Sequence, residues 1–171
     1  KNLLKIITAA NLEGFYYKPR IDFEVLEKYH EGIIALSGCL NGEISELILH
    51  NSLTEAEKVL QHYLNIFGPD FYLELQRHPQ IQEQETVNRQ LVNLSRKYAV
   101  PLVATNDCHY LEKEDAYAQE VLLCIQTQRS ILEKNRPVSM IDVPDYYFKS
   151  PQEMKGSFLD YPEAIENTIK I

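Results

Sequence analysis

The 171-residue sequence has few cysteines and glycines and no tryptophan. Its three cysteines, Cys39, Cys108 and Cys124, are an odd number without close spacing. Neither a disulfide framework nor a Cys-x-x-Cys zinc site is therefore indicated, and a reducing cytoplasm is the predicted location. No apolar run approaches the ~20 residues that a membrane span needs, and there is no signal peptide, so no membrane partner is expected.

Basic side chains are also in the minority. Lys and Arg number 17 against 25 Asp and Glu, which gives a formal charge of -8 and a pI near 5.1. This balance argues against a chain that binds a nucleic-acid backbone with its whole surface, because each phosphate contact favours Lys or Arg. Any nucleic-acid role is therefore local or belongs to other sequence. A start methionine is lacking, and we expect a piece of a longer protein.

The chain does have enough apolar residues, 44%, for one domain with a real core. Three short apolar runs have the pattern of buried strands, at residues 32–36, 71–75 and 102–104. The connections between them are long enough to cross over between parallel strands and are helical in pattern. The sequence therefore predicts an α/β fold with a parallel sheet.

An amphipathic helix is predicted at the start of the chain, on Leu3, Leu4, Ile6 and Ile7. Further helices are predicted at residues 22–30, 43–50, 52–67, 83–98, 115–126 and 162–171, and one more begins at residue 150. Ser52 with Glu55, and Ser150 with Glu153, have the spacing of capping boxes. Between the first two helices, residues 14–20 form an aromatic and basic loop.

The region after residue 111 has a weaker pattern. Its helix over 115–126 is expected to point four apolar side chains inward: Ala118, Val121, Leu122 and Ile125. Residues 127–145 contain charges, Pro137 and Pro144 and no clear period, which indicates an excursion over the surface. Residues 146–148 are then predicted to be a short extended segment.

Polar side chains follow each of the three predicted strands: Cys39 after the first, Glu74 and His78 at the end of the second, and Asp107 with His109 after the third. Because the carboxyl ends of parallel strands meet at one rim, we expect these groups to face the same side. Thiolate, imidazole and carboxylate are ligands of zinc, or of iron and manganese when oxygen ligands dominate.

The strand that ends near Asp107 is the most informative of the three. If the chain stays extended after it, Asp107 and His109 point to one face and can chelate one divalent ion, while Cys108 points the other way. The alternatives are ordinary: His109 as a surface imidazole, and Cys39 as a small buried residue beside a glycine turn. Agreement among three strand ends favours the metal site.

Several runs resemble the alpha-subunit family of bacterial DNA polymerase III. They are LEGFYYKPRID (12–22), EGIIALSGCLNGE (31–43), FYLELQRH (71–78), PLVATNDCHYL (101–111), KSPQEM (149–154) and YPEAIENT (161–168). In order and from end to end, they are similar to the second half of the family's PHP domain, the polymerase and histidinol phosphatase domain.

The resemblance implies part of a distorted parallel (β/α)7 PHP barrel with helices outside the strands. Residues 1–148 would form this partial barrel, whose N-terminal ligand half is absent, and residues 149–171 a helical tail leading towards the polymerase core. Three family metal ligands match: Cys39 in S-G-C-L, where related enzymes often have His, and Asp107 and His109 in N-D-x-H. Glu74 and His78 match no ligand position and are expected to support the ligands or contact a phosphate.

The resemblance also implies a function. A complete PHP site is a metal-dependent phosphoesterase, a 3'-5' exonuclease in some members, that uses zinc, manganese or iron. The parent is a DNA-directed DNA polymerase, a nucleotidyltransferase with magnesium at a separate polymerase site, and its partners are DNA and other replicase subunits. No catalytic residue of polymerisation lies in this chain, which alone is expected to be inactive.

Two alternatives to a nuclease module remain. In the first, the ligands are relics and the domain is a structural scaffold that binds partner subunits. In the second, the chain is a free-standing amidohydrolase-like enzyme, which the match of the loop and tail disfavours. Since three strands are too few to close a barrel, an open strand edge also predicts a homo-oligomer, against a monomer with repacked helices.

Overall fold

A computed structural model describes residues 1–133 and 139–171. Its sheet has three parallel strands, β1 (Ala35–Leu36), β2 (Phe71–Leu75) and β3 (Leu102–Ala104), in the order β1-β2-β3. The register places Ala35 opposite Phe71 and Leu73 opposite Leu102. The predicted α/β class with a parallel sheet is confirmed.

The first strand is shorter than predicted. Gly32 has φ +71°, a left-handed conformation that favours glycine, and the N–H of Ile33 donates to the carbonyl of His30 at 2.9 Å. The chain is therefore still turning at Ile33 and pairs with β2 only from Ala35.

Eight α-helices occur in the described residues: α1 (Asn2–Leu12), α2 (Phe23–Tyr29), α3 (Glu43–Leu49), α4 (Leu53–Phe67), α5 (Gln82–Tyr98), α6 (Ala116–Thr127), α7 (Pro151–Ser157) and α8 (Pro162–Glu166). Helices α3 and α4 connect β1 to β2, and α5 connects β2 to β3. These are the predicted crossovers. No helix in the described part of the chain is long and apolar enough to cross a membrane.

The two predicted capping boxes have different outcomes. At α7, Ser150 accepts from the N–H of Glu153 at 3.3 Å, and the Glu153 carboxylate accepts from the N–H of Ser150 at 2.8 Å, as predicted. At α4 the prediction is wrong. Ser52 has φ -101° and ψ 53°, not the extended conformation of a cap, and its hydroxyl lies 3.4 Å from the carbonyl of His50.

The core lies between the sheet and helices α3, α4 and α5. Strand β2 is central, and Phe71, Leu73 and Leu75 are all within 1% of full burial. Its other face is closed too, since Tyr72 and Gln76 are buried. The central strand of a parallel sheet is covered on both faces, which explains this burial. The alternation of polar and apolar residues in β2 predicts one polar face.

The C-terminal segment packs on the same core. Phe158 and Ala164 are 1% and 0% exposed, and Asn167 donates its side-chain amide to the carbonyl of Leu102 at 2.7 Å. Arg77, after β2, donates to Asp160 at 2.5 Å. The tail thus covers the outer side of β3. The division into domains at residues 148 and 149 stays a prediction.

Helix α6 faces the protein with a different side from the one predicted. Its buried residues are Ala116, Glu120 and Cys124, whereas Leu122 and Ile125 are 59% and 69% exposed. Ala118 is also exposed and Val121 is half-buried. The Glu120 carboxylate accepts from the N–H groups of Met140 and Ile141, at 2.6 and 3.4 Å, and these bonds fix the orientation of the helix. Pro137 of the predicted excursion lies outside the described residues.

Candidate metal centre

The segments that follow the three strands are joined by polar contacts. The hydroxyl of Ser37, after β1, accepts from the N–H of Glu74 in β2 at 2.9 Å. The Glu74 carboxylate accepts from Gln76 at 3.0 Å and from the hydroxyl of Thr105. Glu74 therefore links the ends of β2 and β3 through hydrogen bonds to Gln76 and Thr105.

Asp107 and His109 form the pair that the sequence predicts, but in a turn and not in an extended chain. Asp107 has φ +53°, so the chain does not stay extended after β3. The left-handed turn nevertheless leaves His109 Nε2 3.3 Å from Asp107 Oδ1, with both side chains more than a third exposed. The N–H of His109 donates to the carbonyl of Tyr146 at 2.8 Å, which fixes the turn.

Cys39 lies in a tight turn after β1. Gly38 has φ +80°, and the N–H of Gly42 donates to the carbonyl of Cys39 at 2.9 Å. A Cβ at position 42 would lie 2.3 Å from the carbonyl oxygen of Ser37, so the turn requires glycine there. The Cys39 thiol is free and half-buried.

Tyr146 contacts the turn that holds His109. Burial raises the pKa of its hydroxyl, and the charges of Asp107 and then Cys39 raise it further. Within residues 1–133 and 139–171, however, no three His, Cys, Asp or Glu side chains are arranged to hold a metal ion. The structure brings Asp107 and His109 together, and a shared site with Cys39 stays a prediction.

His78 is the most unusual group at this rim. It is 3% exposed, and its ring stacks on Tyr146 with 4.4 Å between centroids, while the His109 ring meets Tyr146 edge-on at 5.3 Å. Both His78 ring nitrogens are buried without a hydrogen-bond partner in the described part of the chain. Buried polar atoms are nearly always paired, so these nitrogens fit an external ligand such as a metal ion or a phosphate.

The electrostatic setting keeps the His78 ring neutral. Burial lowers the pKa of His78, and the nearby Lys149 ammonium adds to that effect. The carboxylates of Asp107 and Asp145 act in the opposite direction. A neutral imidazole has one lone pair available for a metal and one N–H for an anion.

Lys149 holds residues 145–149 against the segment that follows β3. Its ammonium donates to Asn106 Oδ1 and to the carbonyl of Asp145, both at 2.7 Å, and its side chain is 8% exposed. Burial lowers the pKa of Lys149 and the Asp145 carboxylate opposes this. Asn106 donates to the carbonyl of Tyr147 at 2.5 Å. Sequence reasoning missed Tyr146 and Lys149, for which the only signal was the short extended segment at 146–148.

The parallel sheet with polar strand ends agrees with the family comparison, in which residues 1–78 match the PHP domain family. Along its whole length the chain is similar to bacterial DNA polymerase III alpha subunits. It is 48% identical over 171 residues to DNA polymerase III subunit alpha of Borreliella burgdorferi. The identity is 43% over 175 residues for the Aquifex aeolicus protein of that name and 44% over 174 residues for that of Thermus aquaticus.

Each of these matches covers 100% of this chain and 14% or 15% of the relative. The chain therefore spans about a seventh of the length of the curated relatives that it matches. The predicted resemblance is confirmed along the whole chain.

Proposed function

We propose that this chain is part of the alpha subunit of a replicative DNA polymerase III, a DNA-directed DNA polymerase. The observation that carries the proposal is 48% identity along the entire chain to a protein of that name. Residues 1–148 then belong to a distorted (β/α)7 PHP barrel, and 149–171 to a tail towards the polymerase core. Three parallel strands with helical crossovers support this arrangement. DNA and other replicase subunits are the proposed partners, with magnesium at the separate polymerase site.

Within that parent, we propose that Cys39, Asp107 and His109 contribute to a divalent metal centre. The pairing of Asp107 with His109 at 3.3 Å after β3 supports it, because carboxylate and imidazole are ligands of zinc, manganese and iron. A bound metal would supply Lewis acidity and activate a water molecule for phosphodiester hydrolysis.

The chain's own residues have defined roles in this proposal. Tyr146 lies between the His78 and His109 rings, so it orients both and excludes water from the buried side. His78 presents ring nitrogens without a protein partner among the described residues, and it is the proposed phosphate contact. Glu74 supports the rim through Thr105 and Gln76.

A non-catalytic scaffold is the second candidate function. It is favoured by the lack of a three-ligand cluster within the described residues. In this alternative the ligands are relics and the rim binds a partner subunit.

The test uses the full-length protein, with and without Asp107→Asn and His109→Ala. If the nuclease proposal holds, chelator-sensitive cleavage of single-stranded DNA falls by ~10-fold to ~100-fold or more, while polymerisation is unchanged. Asp70→Asn is the matched control, because Asp70 is exposed just before β2 begins, at the opposite end of the sheet. Absence of metal-dependent cleavage in the unmodified protein supports the scaffold instead.

A further inference from the structure

The loop between α1 and α2 exposes three consecutive aromatic side chains. We define residues 14–20 as the aromatic loop. In it Phe15, Tyr16 and Tyr17 are 59%, 63% and 83% exposed. The Tyr16 and Tyr17 rings meet edge-to-face with 4.6 Å between centroids, and the Arg20 guanidinium lies over the Tyr16 ring at 5.4 Å. Three adjacent exposed rings are a surface to which a ligand can stack.

The backbone of the aromatic loop is closed by its own hydrogen bonds. The N–H of Arg20 donates to the carbonyl of Gly14 at 3.2 Å, and the N–H of Tyr16 donates to the carbonyl of Lys18 at 3.1 Å. A Cβ on residue 14 would lie 2.0 Å from the Arg20 carbonyl oxygen, so only glycine allows this closure. The rings are therefore presented from a defined loop.

The charge of the aromatic loop differs from that of the rest of the chain. It contains Lys18 and Arg20 and no carboxylate, in a protein with a formal charge of -8. Neither cation forms an ion pair with an acidic side chain in the part of the chain that the structure describes. Exposed rings beside unpaired cations match the chemistry of single-stranded nucleic acids, whose bases stack and whose phosphates are anionic.

Helix α2, which follows the aromatic loop, packs on α4 through residues at both of its ends. Phe23, at the start of α2, stacks on His62 of α4 at 3.9 Å, and His30, after its end, meets Phe67 at 6.3 Å. Phe67 is the last residue of α4 and is followed by the short turn into β2. The end of α2 is therefore near the turn that enters β2, and its start packs on α4.

Helix α1 precedes the aromatic loop. Asn2 donates its side-chain amide to the carbonyl of Glu31 at 2.9 Å, which places the start of α1 beside the segment that enters β1. The aromatic loop follows the opposite end of α1. It therefore lies at the end of α1 away from the segment that enters β1.

We propose that the aromatic loop binds single-stranded DNA, with bases stacked on Tyr16 and Tyr17 and phosphates held by Lys18 and Arg20. The choice of DNA as the nucleic acid rests on the proposed function. Stacking and phosphate contacts on this loop need neither a metal nor catalysis.

The test is fluorescence anisotropy of a labelled oligothymidylate with the 171-residue chain, in low salt with EDTA. Tyr17→Ala is expected to weaken binding about 5-fold or more, the effect of one lost stacking contact, and Tyr17→Phe to retain it. Tyr117→Ala is the matched control, because Tyr117 is 61% exposed on α6 and has no cation beside it in sequence. Combined Lys18→Gln and Arg20→Gln should reduce the salt dependence of the affinity.

Far-UV circular dichroism establishes that each variant is folded, and the same substitutions are made in the full-length protein. Equal affinities for the Tyr17→Ala and Tyr117→Ala variants overturn the proposal, as does the absence of oligothymidylate binding by the unmodified chain. A change in self-association alone assigns the loop to a protein partner and also overturns it. Because the assay contains EDTA, these outcomes are separate from the test of the metal centre.

Discussion

Asn167 donates its side-chain amide to the main-chain carbonyl of Leu102, at 2.7 Å. Leu102 begins β3, an outer strand of the described sheet, so the amide pairs a backbone group that another strand would otherwise occupy. Ala164, less than one helical turn before it, is 0% exposed. The C-terminal tail is therefore packed on the sheet itself, as part of its core.

Replacing Asn167 with alanine tests this contact. The substitution leaves the buried carbonyl of Leu102 without its side-chain donor, and we expect a loss of about 1–3 kcal/mol in the free energy of unfolding. Urea denaturation followed by circular dichroism measures it. Thr168→Ala, one residue further on and exposed, is the control and should change stability by less than ~0.5 kcal/mol. Equal effects would contradict a specific role for Asn167.

The two serines with capping-box spacing predict different costs. Ser150→Ala removes a hydroxyl that accepts from the Glu153 N–H, and should destabilise the protein by about 1 kcal/mol. Ser52→Ala removes a hydroxyl that caps nothing, and should be nearly neutral. Parallel urea titrations of the two variants decide the matter. A larger loss at Ser52 would show that its hydroxyl caps α4 after all.

Glu153, in the tail, has a pKa well below the ordinary value for a glutamate. The Tyr147 hydroxyl donates to its carboxylate at 2.6 Å and, with Ser150, lowers the pKa of Glu153 from 4.5 to about 2. The same bond raises the pKa of Tyr147 from 10.0 to about 12. A depressed folded-state pKa means that the stabilisation from Glu153 is complete above pH 4.5 and is lost as the pH falls towards 2. The contribution of Tyr147 is present below pH 10 and lost as the pH rises through 12.

Removing the Tyr147 hydroxyl separates these effects. In Tyr147→Phe the main cause of the shift is gone, so the pKa of Glu153 should rise towards 4.5, and acid unfolding should become less steep between pH 4.5 and 2. Carbon-detected NMR titration of the Glu153 carboxyl measures the pKa. Tyr110→Phe is the control, because the Tyr110 hydroxyl has no hydrogen-bond partner among the described residues. An unchanged pKa of Glu153 in Tyr147→Phe would show that the Tyr147 hydroxyl does not cause the shift.

Sequence periodicity predicts the local elements well. It gives β2 and β3 at their bounds, the crossover helices and the capping of α2 by Asp22, which accepts from the Val25 N–H at 3.0 Å. These features depend on neighbours a few residues away. The orientation of α6 depends instead on hydrogen bonds from Glu120 to Met140 and Ile141, which no helical pattern contains. In α6 the side with Glu120 faces the protein, and the apolar side with Leu122 and Ile125 is exposed.

The candidate centre shows the same division. Asp107 and His109 are close in sequence, so their pairing is predictable even though the turn at Asp107 differs from the extended chain assumed. His78, Tyr146 and Lys149 come together from distant parts of the sequence. Their contacts depend on how the segment after residue 139 returns to the sheet, which is tertiary information.

Metal binding by the isolated chain should be weak. Asp107 and His109 provide two donors, and an ion held by two donors remains mostly hydrated. We expect isothermal titration with Mn²⁺ to give a weak signal that Asp107→Asn abolishes and Asp70→Asn retains. We also expect no cleavage of single-stranded DNA by the chain alone. Efficient, chelator-sensitive cleavage by the purified chain would be evidence that its own residues complete a site.

The homo-oligomer predicted from an open strand edge is tested at helix α1. Asn167 and the tail cover the outer side of β3, so β1 has the unpaired edge of the sheet in the described residues. On α1, Ile7 follows Leu4 by three residues and Leu3 by four, so the three side chains lie on one face of the helix. Leu3, Leu4 and Ile7 are 56%, 69% and 49% exposed. Symmetric pairing of two copies buries such a face on both at once.

Light scattering at micromolar concentration should therefore give a mass above the 19.9 kDa of one chain, increasing with concentration. Changing Leu4 and Ile7 together to glutamate places charges on the apolar face and should return the mass to 19.9 kDa. Leu132→Glu is the control, because Leu132 is 87% exposed and follows α6 in sequence, and its replacement should leave the association unchanged. A mass of one chain for the unmodified protein at every concentration would contradict the association, since a monomer then tolerates the exposed face of α1.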